Sequence, residues 1–246
     1  MSDNFHYKEI DEEGLETLLA ISKADRFNRW MYKTIRPYIH GKILEIGSGI
    51  GNISQYFLDE KKQIAISDIR QNYLSFLTKE FTHSETLQGV HKIDLTHPDF
   101  EQKHTSIFHT FDSVFALNVI EHIKNDELAL ANCKKFLKPG GNLLILVPAY
   151  PSLYNVLDKE LFHYRRYTKS MLESQLIKQG FIVSKTFFFN ALGIVAWMFG
   201  GLFIKQKTIS SRQMNAYNNL VPFARLIDTM LMHKTGLSLI VVATAG

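Results

Sequence analysis

Lys42-Ile43-Leu44-Glu45-Ile46-Gly47-Ser48-Gly49-Ile50-Gly51 decides how the rest of the chain is read. A short apolar run carries an acid at its end, glycines follow at alternate positions, and a helix is expected to begin near Asn52. Strand, tight turn and helix start, in that order, set backbone N–H groups and the positive end of a helix beside whatever binds there. Glycine takes backbone angles that a Cβ penalises and lets a ligand come close to the chain. The spacing narrows the ligand. A dinucleotide fingerprint, G-x-G-x-x-G, needs glycine at position 52, where the chain has Asn52. A phosphate-gripping loop ends in Gly-Lys-Ser or Gly-Lys-Thr, and this turn does not.

Outward from the turn, strand-like and helix-like patterns alternate. Residues 63–67, 90–93, 111–117 and 142–147 read as strands, and 71–81 and 126–137 as helices, the second stopped by Pro139-Gly140-Gly141. Such alternation predicts an α/β, doubly wound, mostly parallel sheet with helices on both faces. Ligands in that architecture sit beyond the carboxyl ends of the strands, so the residues just after each strand carry the chemistry.

Asp68 closes the second strand, 17 residues beyond Gly51, followed by Ile69. Its carboxylate can accept from both hydroxyls of a ribose, or it can cap a helix. Asp94-Leu95 follows the third strand: the acid can accept from an adenine amino group while Leu95 covers the ring, or the pair can simply form a turn. After the fourth strand comes Asn118-Val119-Ile120-Glu121-His122. Asn118 can bond a cofactor through its backbone or amide. His122 titrates near neutrality, so it is a candidate base as well as a candidate structural partner.

The bulk numbers bound the class. A chain of 246 residues with 46% hydrophobic content buries one substantial core and a small cap. Cys133 is its one cysteine, so an internal disulfide is excluded. The first twenty residues carry several acids and no apolar run, which sets a cytoplasmic protein as the expectation. A net charge of +4 is too diffuse to indicate nucleic acid, and ten scattered histidines without metal-ligand spacing predict no metal site. Residues 15–39 read as one helix containing Phe27-Asn28-Arg29-Trp30-Met31-Tyr32, either packed on the core or lying over the binding cleft with Trp30 against ligand.

With the glycine turn, Asp68, Asp94, the 111–123 segment and Leu137-Lys138-Pro139-Gly140-Gly141 in this order, the chain resembles a class I S-adenosylmethionine (SAM) dependent methyltransferase. Asn28-Arg29-Trp30-Met31-Tyr32, His163-Tyr164-Arg165-Arg166-Tyr167, Phe189-Asn190-Ala191-Leu192-Gly193 and Gly236-Leu237-Ser238-Leu239 are similar to a bacterial subgroup often fused to, or encoded beside, family 2 glycosyltransferases. The resemblance implies a Rossmann-like seven-stranded sheet whose last strand is antiparallel. It implies one domain over 1–246, with an N-terminal helical lid (1–40), a SAM-binding core (41–189 and 237–246) and a helical cap (190–236). It also implies that Glu45, Gly47, Gly49, Gly51, Asp68, Ile69, Asp94, Leu95, Asn118 and Val119 line the SAM site, with S-adenosylhomocysteine as product.

The acceptor is the open question. Tyr164, Arg165, Arg166 and Tyr167 follow the fifth strand, and donors flanked by flat rings suit a carboxylate, a phosphate or a sugar; the alternative is a solvated turn. With Trp30 they are the candidate substrate residues, and His163 joins His122 as a candidate base. Residues 187–204 are nearly all apolar, and Lys205, Lys207 and Arg212 follow. A buried strand with a hydrophobic cap helix, a groove for a lipid tail and a membrane span are the readings. The expected partners are therefore a small-molecule, sugar or lipid-linked acceptor, peripheral contact with the inner face of a membrane, and a glycosyltransferase. A SAM-binding regulatory subunit without catalysis is the alternative function.

Overall fold

The computed structural model describes residues 12–200 and 210–246. Its strands are β1 (Ile43–Ile46), β2 (Ile64–Asp68), β3 (Leu87–Lys92), β4 (Phe111–Leu117), β5 (Leu137–Pro148), β6 (Phe181–Phe189) and β7 (Ser238–Ala245). They form one sheet in the order β3-β2-β1-β4-β5-β7-β6. All neighbours are parallel except β7, which runs antiparallel to both β5 and β6. β1 and β2 are buried at every residue, as strands covered on both faces must be. The expected seven-stranded architecture with an antiparallel last strand is the one observed.

The helices are α1 (Glu12–Ser22), α2 (Asp25–Ile35), α3 (Ser54–Asp59), α4 (Gln71–Phe81), α5 (Phe100–His104), α6 (Asp126–Phe136), α7 (Val156–Glu160), α8 (Lys169–Lys178), α9 (Ala191–Met198) and α10 (Ser211–Met230). They divide between two apolar layers. Leu130, Cys133 and Phe136 of α6 and Leu172 and Leu176 of α8 cover one face of the sheet. Ile35, Phe57, Leu77 and Phe81, from α2, α3 and α4, cover the other with Val221 and Ala224 of α10. The chain leaves β1 toward β3 and returns to β4, so the strand order reverses between β1 and β4. The crevice beyond their carboxyl ends is where this topology puts a ligand.

Three local readings change. The expected helix over 15–39 is broken, because Ala24 leaves the helical region (φ −93°, ψ 65°), and Pro37 enters a 3₁₀ turn over Arg36–Tyr38. Pro139-Gly140-Gly141 does not stop the chain before a strand but lies inside β5, where a register shift between Phe111 and Ser113 of β4 absorbs it. Residues 187–204 resolve into the end of β6 and α9, with 201–204 outside the described residues, as are Lys205 and Lys207. Among the described residues no helix is long and apolar enough to cross a membrane.

α9 and α10 stand between β6 and β7 in sequence, and α10 packs on α1, α2 and α9. Asp228 of α10 is fully buried and accepts from the N–H groups of Asn190 (2.7 Å) and Ala191 (2.8 Å), which ties the start of α9 to α10. The Leu237 N–H donates to the Asn190 carbonyl (3.0 Å), so the two ends of this segment meet.

Candidate functional site

The glycine turn has positive φ at Gly47 (70°), Gly49 (56°) and Gly51 (83°). The close approach it permits is to the protein itself. A Cβ on Gly47 would lie 2.4 Å from Val119 Cγ2, and one on Gly51 2.3 Å from Phe81 Cε2. Leu18 of α1 stands over Gly49, and Asn52 donates its amide to the Leu18 carbonyl (3.3 Å), so α1 lies across the turn.

Glu45 is buried, and the Ser54 hydroxyl donates to it. Burial pushes its pKa up to about 7, against the opposing hydroxyls of Ser54 and Ser48, and the Asp68 charge adds to the rise. Asp68, also buried, accepts from the Gly49 N–H at Oδ2 (3.0 Å) and from the Arg70 N–H at Oδ1 (2.9 Å). Burial raises its pKa, and those backbone donors pull the other way. The carboxyl at the end of β2 is thereby bonded to the turn after β1, with half-buried Ile69 beside it. Asp94 accepts from the Thr96 N–H (2.8 Å) and hydroxyl (2.9 Å) through Oδ1 alone. Asn118 is exposed at the end of β4 with φ +54°, a left-handed value that Asn tolerates.

Several expected site residues are placed differently. Leu95 is 3% exposed and packs in the hydrophobic core. Trp30 is 5% exposed and packs on Phe189 with ring centroids 4.3 Å apart; it is core, not an open ligand contact. Arg166 is 2% exposed, and its Nε donates to both oxygens of Asp158 (2.8 and 2.9 Å) while Nη1 reaches the Ala149 carbonyl (3.1 Å). Tyr167 is fully buried with its hydroxyl on Asp126 (2.8 Å). Arg165, still partly accessible, pairs with Asp126 (2.6 Å) and the Lys124 carbonyl (2.8 Å). The segment is neither a solvated turn nor a free substrate clamp: its cations bind the chain's own acids. Tyr164 remains half-buried, and its N–H donates to the Glu121 carbonyl (2.8 Å).

That bond joins the loop after α7 to the 3₁₀ turn Ile120–His122 after β4. The His122 and His163 rings meet edge to face, 4.7 Å between centroids, and Glu121, buried, lies with them. Ligand atoms of all three residues lie within 4.8 Å of one another. His163 Nδ1 bonds Asp158 (2.8 Å), so the ring is oriented by a carboxylate that Arg166 also holds. Burial pushes the Glu121 carboxyl up to about 8. Spacing in the sequence expects no metal site and gives Glu121 no role; the fold gathers this cluster from positions 41 residues apart. The strand-end Glu-His pair was its only trace in the chain.

A cavity of about 400 Å³ lies among Tyr150, Thr168, Lys169, Glu173 and Phe188 and includes no residue of the glycine turn. Asp68, Asp94, Asn118 and His122 instead follow the carboxyl ends of β2, β3 and β4.

Residues 44–143 match a family described as a methyltransferase domain (Methyltransf_12). The core of this chain is similar to that domain. The match contains the turn, Asp68, Asp94 and the 118–122 segment, and S-adenosylmethionine is the cofactor it supports. A highly reducing polyketide synthase of Pyrenophora dematioidea is 30% identical over 157 residues, covering 59% of this chain and 6% of that protein. A hybrid PKS-NRPS synthetase of Trichoderma harzianum is 29% identical over 133 residues, 51% of this chain and 3% of the synthetase. The chain thus spans only a small part of the curated relatives it matches. Among solved structures, phosphoethanolamine N-methyltransferase 2 of Haemonchus contortus, in complex with S-adenosylmethionine, superposes with a TM-score of 0.60 at 20% identity, over 99% of this chain and 58% of that one. A SAM-dependent methyltransferase from Archaeoglobus fulgidus gives 0.57 at 19% identity, over 88% and 94%. At these identities the structural likeness shows the fold alone.

Proposed function

We propose that the protein transfers a methyl group from S-adenosylmethionine to a small-molecule acceptor, a sugar or a lipid-linked molecule, and releases S-adenosylhomocysteine. The observation that carries this reading is Asp68: a buried carboxyl at the end of β2, hydrogen-bonded to Gly49 of the turn, inside the matched methyltransferase domain. Ribose hydroxyls are donors suited to such a carboxylate. Asp94, with Oδ1 engaged by Thr96, keeps Oδ2 for an adenine amino group, and exposed Asn118 supplies an amide on the same side. Glu45, under the turn, faces the amino-acid end. These donors and acceptors fit the cofactor.

When bound, S-adenosylmethionine supplies a methyl group on a sulfonium, a good leaving group. The chain's task is then to hold the acceptor in line and exclude water, and such positioning contributes about 7–11 kcal/mol. α1, lying over the turn, is placed to close the crevice. Where the acceptor is a hydroxyl, His163 is the better-oriented base, because Asp158 takes Nδ1 and leaves Nε2 for the proton; His122 shares the role.

The lipid-linked option and a peripheral membrane contact draw support from α10. One face of that helix is buried through Val221, Ala224 and Asp228, yet Leu220, Phe223, Leu226 and Met230 are 50%, 57%, 55% and 72% exposed. A glycosyltransferase partner extends the same reading from the subgroup resemblance.

Calorimetry with S-adenosylmethionine and with NAD, followed by turnover to S-adenosylhomocysteine with cell-extract acceptors, tests the proposal. Tight SAM binding and turnover are expected. Binding without turnover favours the non-catalytic regulatory subunit, and NAD binding without SAM binding overturns the reading.

A further inference from the structure

Buried carboxyl groups find hydrogen-bond partners, because stripping water from one without replacement is expensive. Glu121 breaks that rule. It is fully buried, and neither carboxyl oxygen has a hydrogen-bond partner among the described residues. Two imidazoles stand beside it, from His122 and His163, and the ligand atoms of the three residues lie within 4.8 Å of one another.

The surroundings choose the free nitrogen of one ring. His163 gives Nδ1 to Asp158 (2.8 Å), which leaves the Nε2 lone pair available. Asp158 is itself fixed by Arg166 and by the Asn155 N–H (3.0 Å). A carboxylate holding the far nitrogen of a histidine is the outer shell typical of imidazole metal ligands. The backbone bond from Tyr164 to Glu121 (2.8 Å) sets the spacing of the two segments. An ion with bonds of about 2.1 Å holds its ligands up to about 4 Å apart, so the three groups need close by only about 1 Å.

We propose that Glu121, His122 and His163 form a site for one divalent transition-metal ion, whose open positions take an oxygen of the methyl acceptor. Two imidazoles and a carboxylate suit manganese, cobalt or zinc better than magnesium or calcium. Three protein ligands leave the ion room for a substrate atom. The site follows Asn118-Val119 at the carboxyl end of β4, beside the glycine turn that Val119 touches. It therefore rests on the methyltransferase reading and sharpens it: the acceptor is an oxygen compound, and with the ion bound His163 and His122 would act as ligands in place of the base role given above. A cation beside a hydroxyl would lower its pKa, so that the hydroxyl loses its proton to solvent, its oxygen bonds the methyl carbon, and the S–CH3 bond breaks with its electron pair left on sulfur.

The test is calorimetric titration of chelator-treated full-length protein with MnCl₂ and with ZnCl₂, beside a separate SAM titration. One equivalent of metal should bind, and Glu121→Gln and His122→Ala should each weaken it tenfold or more. His122 has an exposed ring, so His122→Ala keeps the test decisive if the Glu121 variant unfolds. Absence of binding, or equal binding by wild type and variants, overturns the site and leaves a protonated Glu121 as the explanation. Metal binding without SAM binding would instead sink the methyltransferase reading and spare the site.

Discussion

Asp158 and Glu121 are two fully buried carboxyl groups of one neighbourhood, and they differ in everything but burial. Asp158 accepts from Arg166, His163 and the Asn155 N–H. Burial alone would raise its pKa, but those partners outweigh it and hold the group below the usual carboxylate range. Glu121 has no such partners, and its carboxyl is pushed up to about 8. A buried acid is thus either a finished part of the scaffold or an open valence. The partners, not the depth, say which.

The largest expected effect breaks the finished side of this contrast. Arg166→Ala leaves Asp158 buried without its main cation and should remove about 3–5 kcal/mol of folding stability in a urea titration. A loss under about 1 kcal/mol would mean that the pair does not hold the 158–167 loop. Asp68 is intermediate, a buried carboxyl held by backbone donors. Asp68→Ala should weaken SAM binding by tenfold or more, about 1.4 kcal/mol, by calorimetry. Unchanged affinity in a folded variant would take Asp68 out of the ribose role.

Glu121→Gln should change the stability of the metal-free protein by less than about 1 kcal/mol, since no ion pair is lost. A loss near that of Arg166→Ala would erase the contrast. The smallest effect is a pH slope. Glu45 has its folded pKa raised from 4.5 to about 7, so it binds a proton more tightly folded than unfolded. Its contribution is complete below 4.5 and is lost as pH rises through about 7. The stability difference between wild type and Glu45→Gln should follow that window, and a flat difference would show that Glu45 does not titrate there.

How much was legible in the sequence follows from how local each signal is. The 71–81 helix and the strand at 111–117 are observed at the expected residues, because an apolar run between turn residues is a property of neighbours in the chain. The failures are long-range. Pro139 and Gly140 read as the stop of the 126–137 helix, which does end at Phe136, but β5 starts at once at Leu137 and residues 138–141 bulge out of its pairing with β4. Arg166 and Tyr167 read as substrate contacts because their acids, Asp158 and Asp126, are 8 and 41 residues away, and only the fold shows the cations already matched. Distance along the chain hid the Glu121 cluster in the same way. Trp30 misled for another reason: an aromatic on an amphipathic helix looks alike whether it faces a ligand or, as here, Phe189.

The meeting of Asn190 with Leu237 has a bearing on how such a protein can change over time. The described parts of the segment between them, α9 and α10, join the sheet near this one point, and a replacement would need a short bridge there together with the apolar cover that Val221 and Ala224 supply. The sheet pairs and the glycine turn would be untouched. A segment attached in this way can vary while the strand ends that carry Asp68, Asp94 and Asn118 stay in place.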